Sequence, residues 1–365
     1  MTMKKTIALA GIGAAARQIH LPAVAKLPNM KVVGAYDPVV RSERFPFPLF
    51  STLEEMLEQV RPDILCVATP PASHFELTRL GLQAGCHVFC EKPFMANLEE
   101  AAEIVALATE LKRWVVVNNQ YRFMNIHAEA KKRIGTAEFG ELLFVNIQQT
   151  FCATEQTEAG WRGQGRRRTC LEFGTHVLDL CRFFFGEDPL RITAQMPRGR
   201  NPEGPDLLDL ILLEFSGGRV AHITLDRLYR GPTRYLTTRL DGSNGCIEAE
   251  LGGRLELSTG IRGGTRTPYL SFECSPGGRA RLLQGDKSKK IATEPLDVFA
   301  SATSRLLQAF ADALDHDEVP VCNARDNLRT LALMLAAYES DEKRQTIDLD
   351  YLQDTETAAH GSRPE

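Results

Sequence analysis

No Cys-x-x-Cys pair, internal repeat or low-complexity tract occurs in the 365-residue sequence, and no apolar run approaches the roughly twenty residues that span a bilayer. The last absence argues against a membrane-spanning helix. Without paired spacing, the nine cysteines (66, 86, 90, 152, 170, 181, 246, 274 and 322) read as reduced, mostly buried thiols of a reducing compartment. Cys86 and Cys90 bracket a strand-like run, which argues against metal ligation. An excess of positive charge is also lacking. Lys and Arg total 43 against 47 Asp and Glu, a net charge of -4, so nothing electrostatic invites a nucleic acid. A cleavable leader is not evident either: "MTMKKTIALAGIGAAA" sets lysines ahead of small apolar residues, but two glycines interrupt the run and an amphipathic helix pattern follows. A strand and a glycine turn account for it better, and the expectation is a soluble, cytoplasmic protein.

Hydrophobic residues at 43 % leave ample surface to bury, and the length suits two domains. The first third alternates strand-like runs ("KTIALAGIG", "KVVGAYDP", "DILCVATPP", "HVFCEKP", "WVVVNNQY") with helix-like ones, and the strands do not alternate in polarity. That is the grammar of a parallel sheet covered on both faces. Beyond about Arg122 the strands lengthen and alternate, and Ser216-Gly217-Gly218 signals a hairpin, so a mostly antiparallel or mixed sheet is expected. The expected fold class is therefore α/β, with domains at 1–123 and 124–352, late helices near 297–315 and 325–339, and a disordered tail at 353–365.

Four stretches carry candidate chemistry. "LAGIGAAARQIHLPAV" places Gly11-x-Gly13-x-x-Ala16 between the first strand and a helix, with Asp37 ending the next strand 24 residues beyond Gly13. Gly11 permits a tight turn, Gly13 lets backbone N–H groups approach a pyrophosphate, and the small Ala16 lets helix pack on strand. A tight turn without a ligand is the simpler alternative. Asp37 suits a ribose diol and repels a 2'-phosphate, which favours NAD, whereas Arg41 close by would suit NADP. "VATPPASHFE" ends another strand in a stiff turn with a Ser73-x-x-Glu76 capping-box pattern, and its backbone would line the same crevice. Lys92 follows a further strand and Pro93 stiffens the chain behind it, although from this stretch alone an ordinary surface lysine is the better explanation. In "RRRTCLEFGTHVLDLCRFFFG", Glu172, His176 and Asp179 share one helical face. That spacing fits a metal site, an acid/base histidine with acidic partners, or a core histidine on an amphipathic helix.

Together these stretches resemble the glucose-fructose oxidoreductase, inositol dehydrogenase and rhizopine catabolism family, Gfo/Idh/MocA. The likeness runs through "GIGAAARQIHLPA", "YDP", "VATPPASH", "EKPFMANLEEA", "NNQYRF", "FGELLFV", "GWRGQG", "EFGTHVLDL" and "LAAYES". It implies an N-terminal Rossmann dinucleotide-binding domain, a C-terminal α/β domain whose large open sheet often makes the interface of a homodimer or homotetramer, and NAD (or NADP) between them. It makes Lys92 of the E-K-P motif and His176 of the G-x-H-x-x-D motif the catalytic pair, with Glu172 as a third member. Implied cofactor contacts are Gly11, Gly13, Ala14, Ala15, Asp37, Arg41, Ala68, Thr69, Pro70, His74, Glu91, Lys92 and Asn119. Implied substrate contacts are Lys92, Arg122, Trp161, Arg162, Arg167, Arg168 and His176, and no metal is implied.

Two departures qualify the likeness. Glu172 stands where the family's dehydrogenases commonly carry Asp, and Arg166-Arg167-Arg168 replaces a frequent glycine run. The arginines are either a solvated loop or a clamp for a carboxylate or phosphate on the substrate. The resemblance thus implies an NAD(P)-dependent oxidoreductase acting on a secondary alcohol or ketone of a sugar, cyclitol or sugar derivative, with an acidic one favoured if the arginines reach it. Two other readings stay open: an NAD-retaining glycosidase or lyase that works by transient oxidation, and a non-catalytic dinucleotide-binding regulator.

Overall fold

The computed structural model describes residues 4–40, 44–154, 165–198, 201, 203–231, 235–262, 267–275 and 277–349. Arg41, Trp161, Arg162 and the tail at 353–365 lie outside them.

β1 (Lys5–Ala10), β2 (Met30–Tyr36), β3 (Leu49–Phe50), β4 (Ile64–Val67), β5 (His87–Cys90) and β6 (Val115–Val117) form a parallel sheet in the order β3-β2-β1-β4-β5-β6. Every residue of β4 and β6 is buried, as unalternated apolar strands require when helices cover both faces. On one face α2 (Leu53–Val60), α3 (His74–Gln83) and α4 (Leu98–Glu110) set Met56, Leu82 and Ile104 against Leu65, Val67 and Val88. On the other lie α1 (Leu21–Ala25) and, from the far end of the chain, α7 (Val298–His316), which seats Leu306, Leu307 and Phe310 against Ile7, Leu9 and Phe89. The strand order reverses between β1 and β4, the kind of switch point at which open α/β sheets bind ligands.

The second sheet has nine strands in the order β16-β15-β12-β11-β7-β10-β9-β8-β17. They are β7 (Leu142–Thr150), β8 (Arg191–Gln195), β9 (Leu208–Glu214), β10 (Val220–Asp226), β11 (Leu236–Gly242), β12 (Cys246–Leu251), β15 (Gly278–Gln284), β16 (Lys287–Glu294) and β17 (Ile347–Asp348). β13 (Arg254–Arg262) and β14 (Thr267–Ser275) make a separate ribbon. All pairings of the large sheet are antiparallel except β7 with β10, so it is mixed. The expected Ser216–Gly218 turn joins β9 to β10, with Gly217 and Gly218 at positive φ. α5 (Asn125–Arg133), α6 (Thr175–Phe185) and α8 (Ala324–Lys343) pack on one face. The other face is open and presents Leu210 and Leu212. Among the described residues no helix is long and apolar enough to cross a membrane.

The two halves meet through buried charge. Arg122, just past β6, donates to both oxygens of Asp179 on α6 (2.5 and 2.6 Å) and pairs with Asp326 of α8 at 3.0 Å. Asn119 Nδ2 donates to Asp179 at 2.9 Å and to Asn327 at 2.6 Å. Arg182, one turn further along α6, pairs with Asp188 and with Asp326. These bonds fix α6 against the end of the first sheet. Arg122→Met leaves Asp179 a buried carboxylate without its cation and is expected to cost about 3–5 kcal/mol. Urea unfolding measures it, and adding Asp179→Leu should restore most of the loss. A cost within error of zero for the single variant would show that the junction does not rest on this pair.

Candidate active site

The glycine turn after β1 is pressed against the turn after β4. Gly11 has φ +96°, and a Cβ there would lie 2.8 Å from Thr69 Cγ2 and 2.9 Å from the Ala68 carbonyl oxygen, so a side chain has neither the dihedral nor the space. At Gly13 no atom lies within 4 Å of where a Cβ would stand. Asp37 closes the turn from the end of β2. Its Oδ2 accepts from Ile12 N (2.8 Å) and its Oδ1 from Val39 N and Val40 N (2.8 and 2.9 Å). Burial works against the charge, but these three N–H bonds outweigh it and hold the carboxyl below its usual range. The chain then winds through a π-turn (Ala16–His20) into α1. After β4, Ala68 N donates to Ala10 O (2.8 Å), joining the two turns. The Ser-x-x-Glu pattern does not form a capping box. Ser73 Oγ turns back to Thr69 Oγ1 (2.7 Å) and Pro70 O (3.0 Å), while Glu76 is taken by Arg79.

Glu91-Lys92-Pro93 follows β5, and the Lys92–Pro93 bond is cis. The loop is short because buried Phe94 and Met95 anchor it and Asn97 caps α4, accepting from Glu100 N at 2.8 Å. Lys92 Nζ donates to the backbone oxygen of Glu172 at 2.9 Å, so the ammonium from the first half already touches the second. Glu91 Oε1 accepts from Asn118 Nδ2 and meets His20 Nε2, each at 2.8 Å. Burial opposes its ionisation, yet His20 and Lys92 bring the carboxyl down to about 2.

Glu172 and His176 sit where a π-turn (Cys170–Gly174) runs into α6. Such turns recur at functional sites because the extra residue re-aims side chains. Asp206, from the segment before β9, holds the start of this helix: its Oδ1 accepts from Arg168 N (2.5 Å) and its Oδ2 from Cys170 N (3.0 Å). His176 is 3 % exposed and stacks on Tyr121, with centroids 4.0 Å apart and planes 5° from parallel. Its Nδ1 is buried without a hydrogen-bond partner. Burial first, and the Lys92 charge second, hold its pKa well below 6.5, leaving a neutral imidazole.

A cleft of about 550 Å³ brings these parts together: Ala14, Ala15, Thr69, Glu91, Lys92, Arg167, Arg168, Glu172 and His176 all line it. Other expected residues are placed differently. His74 is fully buried behind the cleft, bound to Thr69 O and Pro93 O. Asn119 and Arg122, expected at cofactor and substrate, are engaged in the junction, because Asp179 is buried there and needs their charge and donors. The Glu172 carboxylate, expected beside His176, is bound by Arg227 through Oε2. The shared face of Glu172, His176 and Asp179 is thus divided among a cation, the cleft and the junction, and among the described residues no cluster of three metal-ligating side chains occurs. Tyr121, Tyr235 and Arg227 were not anticipated. Arg227 did carry a signal: it continues the inward phase of Ala221, Ile223 and Leu225, so a charge falls where alternation calls for core.

The cleft fits a dinucleotide. The open space over Gly13 would be filled by any Cβ, and the charged Asp37 stands at the end of β2 where a ribose diol would be held. The two glycines should therefore fail differently when replaced. Gly11→Ala is expected to lower stability by about 1–3 kcal/mol through its strained φ and the clash with Thr69. Gly13→Ala should keep its melting temperature and lose dinucleotide affinity. Calorimetric melting and NAD titration separate them, and equal effects of both substitutions on both readouts would contradict this geometry.

Residues 5–119 match the model of the oxidoreductase family with an NAD-binding Rossmann fold, and residues 127–248 match the GFO/IDH/MocA C-terminal domain. D-apiose dehydrogenase from Paraburkholderia graminis is 26 % identical over 318 residues, which cover 84 % of this chain and 78 % of that one. Levoglucosan dehydrogenase from Pseudarthrobacter phenanthrenivorans is 26 % identical over 280 residues, 67 % of this chain and 72 % of that one. The fold is shared with the crystal structure of an oxidoreductase from Agrobacterium radiobacter in complex with NAD+, L-tartaric acid and magnesium, at TM-score 0.80 and 19 % identity over 96 % of this chain and 100 % of that chain. Matched by these models over residues 5–119 and 127–248, the chain belongs to the Gfo/Idh/MocA oxidoreductases, and residues 5–119 are an NAD-binding Rossmann fold.

Proposed function

We propose that this oxidoreductase is a dehydrogenase that uses NAD to interconvert a secondary alcohol and a ketone on a sugar or sugar derivative. One observation carries the reading: Lys92 from the first half and His176 from the second line a single cleft beside the Gly11–Gly13 turn. The names of two relatives, D-apiose dehydrogenase and levoglucosan dehydrogenase, support sugars as the substrate class.

The turn at 11–15 and the Thr69 turn would hold the dinucleotide, with Asp37 at the adenosine ribose. Asp37 is charged, which disfavours a 2'-phosphate and supports NAD over NADP. When bound, the nicotinamide supplies the two-electron acceptor or donor. The chain supplies the rest. His176 is neutral and nearly closed off from water, so it is able to take the hydroxyl proton as the carbinol C–H bond breaks. The Lys92 ammonium exchanges its bond to the Glu172 carbonyl for one to the reacting oxygen and stabilises the developing alkoxide. Arg227 pairs with the Glu172 carboxylate and so orients the side chain of the residue whose backbone oxygen holds Lys92. Arg167 and Arg168 also line the cleft, and guanidinium groups there favour a carboxylated sugar.

Turnover of D-apiose, levoglucosan, glucose, glucuronate and galacturonate, followed by NADH or NADPH formation, tests the substrate class. NAD-linked oxidation with a preference for the uronates is expected. A preference for neutral sugars sinks the arginine role, and no oxidation of any sugar sinks the dehydrogenase reading. Lys92→Met and His176→Asn should each lower kcat by about 100-fold or more with NAD affinity changed little.

The pH dependence has a defined sign. A base works when unprotonated, so a lowered His176 pKa puts the acid limb of kcat/KM below pH 6.5. Lys92→Met removes one of the two influences that lower it, and NMR titration should find the imidazole pKa raised. An unchanged or lower value would show that the two side chains do not feel each other.

A further inference from the structure

Two buried histidines flank the catalytic segment, and the reaction described above uses neither. His20 belongs to the π-turn after the glycine turn, and its Nε2 lies 2.8 Å from Glu91 Oε1. The other oxygen of Glu91 accepts from the backbone N of Lys92 at 3.2 Å. His74 begins the helix after the Thr69 turn. Its Nε2 lies 3.0 Å from Thr69 O and its Nδ1 2.9 Å from Pro93 O. Lys92 is therefore bracketed on its N-terminal side by a histidine that follows one cofactor turn, and on its C-terminal side by a histidine that follows the other.

The chemistry of each contact is specific. Carbonyl oxygens only accept, so His74 makes both bonds only with a proton on each ring nitrogen. Burial opposes that charge, but Cys90, Thr69 and Pro93 raise its pKa to about 9. His20 is 1 % exposed. Burial again opposes the charge, while Cys66 and Glu91 raise its pKa to about 10, so it stands as an imidazolium against a carboxylate. A buried ion pair adds little net stability over apolar packing of the same shape, whereas it is demanding in direction. Placed beneath a lysine whose ammonium must meet one oxygen, such contacts hold geometry rather than mass.

The geometry points to His20 and His74 as positioning residues that tie Lys92 to the two nucleotide-binding turns, so that a filled dinucleotide site and a correctly aimed ammonium are one state of the protein. The inference rests on Lys92 as the group that meets the reacting oxygen. Neither histidine lines the cleft.

Amide hydrogen exchange of the 90–96 segment in the full-length protein, with and without NAD, tests the tie without any need for turnover. In the wild type NAD should slow exchange of this segment. His20→Ala and His74→Leu should speed it by about tenfold without cofactor and weaken the slowing by NAD. His20→Gln keeps a donor toward Glu91 and should recover most of the wild-type rate, and His74→Gln stands in if the leucine variant does not fold. On the sugar that the wild type oxidises fastest, kcat should fall by about 10- to 100-fold while NAD affinity changes little. Two results overturn the proposal: folded variants that exchange the 90–96 segment at the wild-type rate, or variants that retain wild-type kcat. A wild type that binds NAD but oxidises no sugar instead defeats the dehydrogenase reading, and the exchange data still decide whether the histidines hold the segment.

Discussion

A carboxylate taken out of water has to be matched by charge and hydrogen bonds, and Asp179 finds its match across the junction between the halves. Arg122 and Asn119 come from the end of the first sheet, and Asp179 is fully buried on the helix that carries His176. The partners are directional, so satisfying them sets the position of α6 as well as its stability. With α6 in place, Lys92 from β5 reaches the Glu172 carbonyl, and an ammonium and an imidazole share one cleft.

The cleft is built on the same constraint at a smaller scale. Its carboxylates do not stand alone: Glu91 faces His20, Glu172 faces Arg227, and Asp297 faces Lys26. Each acid at the wall is held by a cation, and the Lys92 ammonium, bonded to the Glu172 carbonyl, bears on the imidazole. That ammonium and the loss of water keep His176 neutral. A neutral base beside a fixed cation suits the transfer of a hydroxyl proton together with the gathering of charge on oxygen.

Much of the fold was legible because periodicity reports burial. Unalternated strands announced a sheet covered on both faces, and alternating ones announced a sheet with an open face, as β9 and β10 show. The turn at Gly11 was legible because glycine takes the positive φ found there without steric cost. The Ser73 cap was not, since Thr69 competes for the same hydroxyl, and that contact forms only when the turn closes. Arg122 and Asn119 were assigned by resemblance to the ligands, but both donate to a buried acid 57 and 60 residues away along the chain.

The sequence by itself marked most of the strands and helices, though not β3 or β13 to β16, and pointed to two main sheets and to the residue types that carry the chemistry, because these follow from spacing along the chain. Tertiary structure alone decided which charge meets which. Lys92 and the Glu172 carbonyl are 80 residues apart, and His20 and Glu91 are 71 apart. Such contacts depend on how whole elements pack, and a side chain in isolation carries no record of the partner that burial will require of it.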